Sequence, residues 1–305
     1  MLERLVGNDA LKSELGTALR GGRLPHAILL VGEPGCGAGF AARCLAADYL
    51  YPQGGAHAEA VLKKEDAECL VLQGEGASGQ IPVKKVREAR EAIQRSALST
   101  DAAGRVLFIY GAQNLNGSSA NAMLKIIEEP PEGVLFLLTA ASAATVLPTI
   151  RSRCAAYTIA PVPTADCAAR LRTERLPAKA ADELAFLYEG HIGTALKSWN
   201  DPAFKSALGM AKTLCGYAAQ GDTYRALALL TKYERDKEGF TALLWQLDQL
   251  CSAVLRRPAY GQEQCNSLTP DAAARILNAD ARARKSLTGN GNLRLNAAVL
   301  AGEIA

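Results

Sequence analysis

The chain has 305 residues, enough for two or three domains with sizeable cores. Its 49% apolar and 21% charged residues are ordinary for a globular protein. A net charge of +3 is too small to argue for nucleic-acid or membrane binding by bulk electrostatics, so any such contact needs a local site. Eight cysteines, at 36, 44, 69, 154, 167, 215, 251 and 265, include no C-x-x-C pair and read as reduced thiols. With an opening Met1-Leu2-Glu3-Arg4 that lacks the apolar run of a signal peptide, they predict a cytoplasmic protein.

In chain order, residues 9–20 place Leu11, Leu15 and Leu19 on one helical face, and Gly21-Gly22 stops that helix. Ala27-Ile28-Leu29-Leu30-Val31 reads as a fully buried strand running into a glycine-rich loop, and a helix over 38–51 is expected next. Residues 53–64 show little pattern and read as a loop or short helix. The spacing predicts a helix over 83–97, with Val83, Val86, Ile93 and Ala97 on one face and Lys84, Lys85, Arg87 and Arg90 around it. Those cations could face solvent or a phosphate backbone. Residues 106–109 form a second buried strand, 118–129 a helix closed by Pro130-Pro131, 134–139 a third strand and 156–159 a fourth.

Residues 133–150 carry no charge, but Thr139, Ser142, Thr145, Pro148 and Thr149 interrupt the apolar run; a buried strand plus loop fits better than a membrane span. Strands alternating with helices predict an α/β domain whose parallel sheet is covered on both faces. Beyond Pro161-Val162-Pro163 the β-type runs vanish. Residues 164–199 read as a small helical module punctuated by Gly190 and Gly193. From 201 onward, helical spacing of Leu227/Leu230, Leu243/Leu244/Leu247/Leu250 and Leu293/Leu295/Val299/Leu300 predicts an all-helical domain.

The chemistry concentrates in Gly32-Glu33-Pro34-Gly35-Cys36-Gly37-Ala38-Gly39. The strand–loop–helix setting is that of a phosphate loop, G-x-x-x-x-G-K-[ST], whose lysine neutralises phosphate and whose hydroxyl holds magnesium. Ala38 replaces the lysine and Gly39 the hydroxyl. A second phosphate-site element normally ends a buried strand in carboxylates, which hold magnesium and orient water. Here Arg105-Val106-Leu107-Phe108-Ile109 ends in Tyr110-Gly111. The expectation is a degenerate nucleotide site, with ATP and magnesium binding absent or very weak.

Longer stretches resemble a known family. Gly22-Arg23-Leu24-Pro25-His26-Ala27-Ile28-Leu29-Leu30-Val31-Gly32 is similar to the start of the AAA+ module in clamp-loader subunits of bacterial DNA polymerase III. Ile81-Pro82-Val83-Lys84-Lys85-Val86-Arg87 is similar to the segment before that family's second strand. Ala120-Asn121-Ala122-Met123-Leu124-Lys125-Ile126-Ile127-Glu128-Glu129-Pro130-Pro131 resembles its N-A-L-L-K-x-L-E-E-P-P helix. Leu147-Pro148-Thr149-Ile150-Arg151-Ser152-Arg153-Cys154 resembles its L-P-T-I-x-S-R-C segment, and Asn292-Leu293-Arg294-Leu295-Asn296 its last helix.

The resemblance implies an AAA+ RecA-like domain over 1–162, a helical lid over 163–203 and a helical collar for oligomerisation over 204–305. It implies a member that does not hydrolyse ATP, since the motor subunits gamma and tau keep the lysine and the acidic pair. Partners implied are those motor subunits and the delta subunit, with the sliding clamp and primed DNA reached through the assembled loader. Arg153, within Ser152-Arg153-Cys154, is implied to act in trans as an arginine finger; Arg151 is a helper or a solvated charge. Lys125 with Glu128 or Glu129 shares one helical face, as a solvated face or a subunit contact. Gly193, beside His191, is implied to replace a second nucleotide-sensing arginine.

Many relatives bind structural zinc through four cysteines after the first phosphate-site helix. Residues 48–66 contain none, and Cys44, Cys69 and His57 do not make a tetrahedral set, so no zinc is expected. Alternatives from other classes remain at this stage: an independent P-loop NTPase with an atypical site, a motor-type subunit, a glycine cradle that still holds an anion, and a DNA-binding adaptor outside any loader.

Overall fold

Five short apolar runs become parallel strands: β1 (Ala27–Val31), β2 (Cys69–Gln73), β3 (Arg105–Tyr110), β4 (Val134–Ala140) and β5 (Ala155–Thr158). They form one sheet in the order β2-β3-β4-β1-β5, registered by pairs such as Leu107 with Phe136 and Leu29 with Leu138. The computed structural model describes residues 1–76, 79–94, 99, 101–289 and 291–304.

Alternation along the strands sends side chains to two cores. Ile28, Leu30, Val106, Phe108, Leu135 and Leu137 face one way, against α1 (Asp9–Arg20), α2 (Ala38–Leu50) and α3 (Ala56–Lys63). Leu29, Leu107, Ile109, Phe136 and Leu138 face the other, against α4 (Val83–Ile93), α5 (Gly117–Glu128) and α6 (Pro148–Arg151). Covering both faces of a parallel sheet makes β1, β3 and β4 near-continuous apolar runs, which is why they are readable in the sequence. The α/β expectation therefore holds, and residues 133–150 are β4 and the loop leading to α6 rather than a span. Among the described residues no helix is long and apolar enough to cross a membrane.

The strand count needs correcting from four to five. β2 lies at the sheet edge, with Val71 44% exposed and only Leu72 of its five residues buried. Glu68 and Gln73 bracket too short an apolar run to signal a strand. Val106-Leu107-Phe108-Ile109 thus belongs to the third strand, and Ile81–Arg87 precedes the third rather than the second. The expected helix over 83–97 is observed over Val83–Ile93; Ala97 lies outside the described residues. The patternless 53–64 segment contains α3.

The chain divides into two units, one of residues 1–174 with 190–193, the other of 175–189 with the residues from 194 onward. The first also holds α7 (Thr164–Thr173). The second is helical: α8 (Ala178–Leu187), most of α9 (Ile192–Asn200), α10 (Pro202–Gln220), α11 (Thr223–Leu230), α12 (Lys237–Arg256), α13 (Pro258–Gln264), α14 (Pro270–Thr288) and α15 (Leu293–Ile304). Helix α12 packs against α10 and α14, and buries Leu243, Leu244, Leu247 and Leu250 from the predicted stripe. The other two stripes split: Leu230 and Leu300 are buried, whereas Leu295 and Val299 are 65% and 47% exposed.

Candidate functional site

The carboxyl ends of parallel strands are where α/β sheets receive ligands. In this chain β1 runs into the 32–39 loop, β3 ends at Tyr110 and β4 at Ala140, and a cavity of about 420 Å³ opens there. It is lined by Gly32, Gly35, Gly37, Ala38 and Gly39, by Tyr110 and Gly111, and by Thr139. The two motifs picked from the sequence, some seventy residues apart, thus share one pocket.

The loop keeps its backbone form without its charges. Gly37 sits at φ +105°, the left-handed region, and α2 begins directly after it. Ala38 is buried and carries no cation toward the pocket. A Cβ at Gly39 would lie 3.5 Å from the Tyr110 ring, in ordinary van der Waals contact with it. Tyr110 stacks on Phe108 at 5.6 Å, and Lys64 Nζ sits 5.6 Å from its ring centre. Burial pushes the Tyr110 phenol above its ordinary value, with Arg43 partly offsetting this. Its hydroxyl makes no well-aligned hydrogen bond, so the Arg43 influence is one of proximity.

These donors do not fit a magnesium nucleotide. The loop's one carboxylate, Glu33, is 73% exposed and stands 3.1 Å from His191 Nε2. Cys36 donates its thiol proton to the Glu33 carbonyl at 2.7 Å, and burial raises its pKa, so it offers no thiolate. Gly193 closes the loop from the other side: its amide donates to the Gly35 carbonyl at 2.8 Å. A Cβ at 193 would stand 3.0 Å from that same oxygen, so an arginine at this position would crowd the loop.

Three polar pocket residues are not picked out as site residues by a reading of the sequence: Arg43, Gln113 and Thr139. Arg43 is the only cation in α2, which is a usable signal. Thr139 Oγ1 accepts a 3.2 Å bond from the Gly111 amide and so ties the end of β4 to the turn after β3. In the sequence it shows only as an interruption of an apolar run, which does not distinguish a pocket residue from a loop residue.

Arg153 does not line this pocket. It follows the four-residue α6, whose Pro148 starts the turn and whose Ile150 is buried. Its Nε donates to Glu128 Oε1 at 2.6 Å, and its Nη1 to the Thr149 carbonyl at 3.1 Å and Ser152 Oγ at 3.3 Å. The Arg153 side chain is 39% exposed. Cys154 is half-buried, and burial raises its thiol to about 11. Arg151 is tied to the Ala143 carbonyl. Glu128 thus turns to Arg153 and not to Lys125, although spacing puts those two on one face.

Lys125 instead joins Arg87 and Arg90 along a groove of about 390 Å³ between α4 and α5, with Ser118 and Asn121. Lys84 and Lys85 are engaged by Glu88 and Glu75. In the region expected to lack zinc, His57 stacks on Tyr51 and stands 3.6 Å from Asp66, while burial lifts the Cys44 and Cys69 thiols to about 12. No group of three or more His, Cys, Asp or Glu among the described residues could hold a metal ion.

Comparison with known proteins adds the family. The model described as "DNA polymerase III, delta subunit" matches residues 7–163, just over half the chain. DNA polymerase III subunit gamma/tau of Mycobacterium tuberculosis is 33% identical over 158 residues, covering 49% of this chain and 27% of that protein. The chain therefore spans about a quarter of those relatives' length. Subunit delta' of Escherichia coli is 26% identical over 274 residues, covering 87% of this chain and 80% of the relative. RuvB from Thermotoga maritima, in a variant structure 15% identical, covers 96% of this chain and 85% of its own with a TM-score of 0.52, a likeness of fold. With the five-stranded parallel sheet and the helical carboxyl-terminal part, these matches make the chain a member of the DNA polymerase III delta-subunit family, a delta-prime-like clamp-loader subunit with an AAA+-type fold.

Proposed function

We propose that this chain is a non-hydrolysing clamp-loader subunit that supports ATP-driven loading of the sliding clamp onto primed DNA and lends Arg153 to ATP held by a neighbouring motor subunit. The observation that carries the reading is a separation. The chain's own pocket presents Ala38, Gly39, Tyr110 and Gly111 where phosphate and magnesium chemistry needs a lysine, a hydroxyl and carboxylates. Arg153 lies outside that pocket with its guanidinium partly exposed. A planar cation that its own site does not use is suited to a phosphate presented by another protomer.

On this reading the partners are gamma/tau-type motor subunits and a delta subunit, with the clamp and primed DNA reached through the cytoplasmic assembly. The chain retains neither magnesium-ATP nor zinc of its own. The test has two arms. The isolated chain should release no phosphate above background with magnesium and ATP. In a reconstituted loader, Arg153→Ala should lower clamp- and DNA-stimulated ATP turnover by about 10³-fold or more, the range of trans-acting arginines, without loss of assembly. Steady turnover by the isolated chain, or an unchanged rate with Arg153→Ala, sinks the proposal.

A motor-type reading is favoured by the 33% identity to gamma/tau. It requires the chain itself to turn over ATP, so the first arm decides between the two. An independent P-loop NTPase makes the same demand, without needing the partner subunits.

A further inference from the structure

Arg153 is held at two of its three guanidinium nitrogens. Glu128 takes Nε, while the Thr149 carbonyl and Ser152 Oγ take Nη1; Nη2 makes no hydrogen bond among the described residues. A guanidinium carries donors on three nitrogens, so Nε and Nη1 can be held while Nη2 remains able to meet a second anion. The Glu128 contact runs through a single nitrogen, and the two side chains are 39% and 47% exposed, so solvent screens the pair and much of the cation's field remains outside it.

Glu128 is well placed for such a clamp. It is the last residue of α5, whose start is capped by Asn116 accepting the Ser119 amide at 2.9 Å. Met123, Ile126 and Ile127 bury the same helix against the sheet. Its backbone is therefore fixed by the core, whereas Arg153 follows a single short turn. A long side chain on a short turn samples many rotamers unless something restrains it.

Resting on the arginine-finger reading above, we infer that Glu128 is a positioning residue for Arg153: it clamps the Nε edge so that Nη2 projects toward a phosphate on the neighbouring protomer. It touches no reacting atom and acts only through the arginine. This differs from a plain surface ion pair, which would leave turnover unmoved, and from a latch, whose removal would raise turnover.

The experiment uses the reconstituted loader with clamp and primed DNA, measuring kcat and KM for ATP. Glu128→Ala should lower kcat about ten- to hundredfold, the scale of a misoriented catalytic group, with KM for ATP unchanged. Glu128→Gln, which keeps an oxygen acceptor for Nε, should restore most of that loss. In an Arg153→Ala background, Glu128→Ala should have no further effect. Glu128→Lys, which repels the guanidinium from the same half-exposed position, gives an independent arm should the alanine variant assemble poorly, and should lower kcat at least as far.

A kcat within twofold of the parent for both Glu128→Ala and Glu128→Lys overturns the inference while leaving the arginine-finger reading intact, provided Arg153→Ala is defective. So does a loss of undiminished size in the Arg153→Ala background, or a rise in kcat with Glu128→Ala. An unaffected Arg153→Ala removes both.

Discussion

Glu68 and Arg105 form a buried ion pair where β3 begins, at the opposite end of that strand from the pocket. Glu68 Oε2 lies 3.1 Å from Arg105 Nε, and the side chains are 1% and 9% exposed. The separation is that of an ion pair, but the two atoms are not aligned as a hydrogen bond. Other bonds hold the charges: Glu68 Oε1 accepts the Ser99 amide at 2.7 Å, and Arg105 Nη1 donates to the Ala92 carbonyl at 2.5 Å. Glu68→Ala therefore takes the carboxylate away from a buried guanidinium and removes the acceptor of the Ser99 amide, a loss of about 3–5 kcal/mol. That is a large share of the roughly 5–15 kcal/mol available to a folded protein. Glu68→Gln keeps an acceptor for Ser99 and should cost less. Replacing both residues by leucine should recover most of the deficit, because the stranded charge goes with its partner. Urea unfolding followed by two probes isolates the effect. Both tryptophans, Trp199 and Trp245, lie in the second unit, so their fluorescence should hold its midpoint while the far-ultraviolet circular dichroism moves. A cost below about 1 kcal/mol for Glu68→Ala, or a double replacement as damaging as the single, refutes the reasoning.

Two further predictions concern charge elsewhere. In the second unit, burial raises the Asp280 carboxyl from 3.8 to about 6, with Arg284 at 2.5 Å opposing the shift and Asp248 adding to it. Because the folded pKa is the higher one, the group's stabilisation is complete below 3.8 and disappears as pH rises through about 6. Relative to Asp280→Asn, the parent should gain about 2 kcal/mol between pH 7 and pH 4 by tryptophan-monitored unfolding; a difference independent of pH contradicts the assignment. At the α4–α5 groove, alanine at Arg87, Arg90 and Lys125 together should weaken primed-DNA binding by the reconstituted loader without regard to sequence. The slope of log K against log salt should fall by about 0.9 for each phosphate that the variant no longer neutralises, and an unchanged slope excludes the groove from the DNA path.

What can be read in the sequence follows burial. Strands β1, β3 and β4 are covered on both faces, so continuous runs such as Ala27–Val31 and Val134–Ala140 advertise them. Strand β2 is half-exposed at the edge, and its composition carries almost no signal. Helix α3 is equally faint because only Ala58 and Val61 of its eight residues are buried. The pairing of Glu128 is invisible for a different reason. Helical spacing reports which residues share a face, but not that a turn arriving from residue 148 onward would bring Arg153 nearer to the carboxylate than Lys125 is.

The pocket is legible as a set of substitutions, yet its packing shows that they are not independent. Tyr110 ends β3 and also sets its ring 3.5 Å from where a Cβ at Gly39 would lie. Gly193 lacks a sensing side chain and also brings its amide within 2.8 Å of Gly35, an approach that a Cβ would strain. His191 pairs with Glu33, the loop's single carboxylate. The space itself stays open, about 420 Å³ at the strand ends, so the pocket is distinguished by the side chains around it and not by a loss of room. Whatever it binds, the loop is also a structural join between β1, α2 and residues 190–193, made by the Gly193 amide on the Gly35 carbonyl.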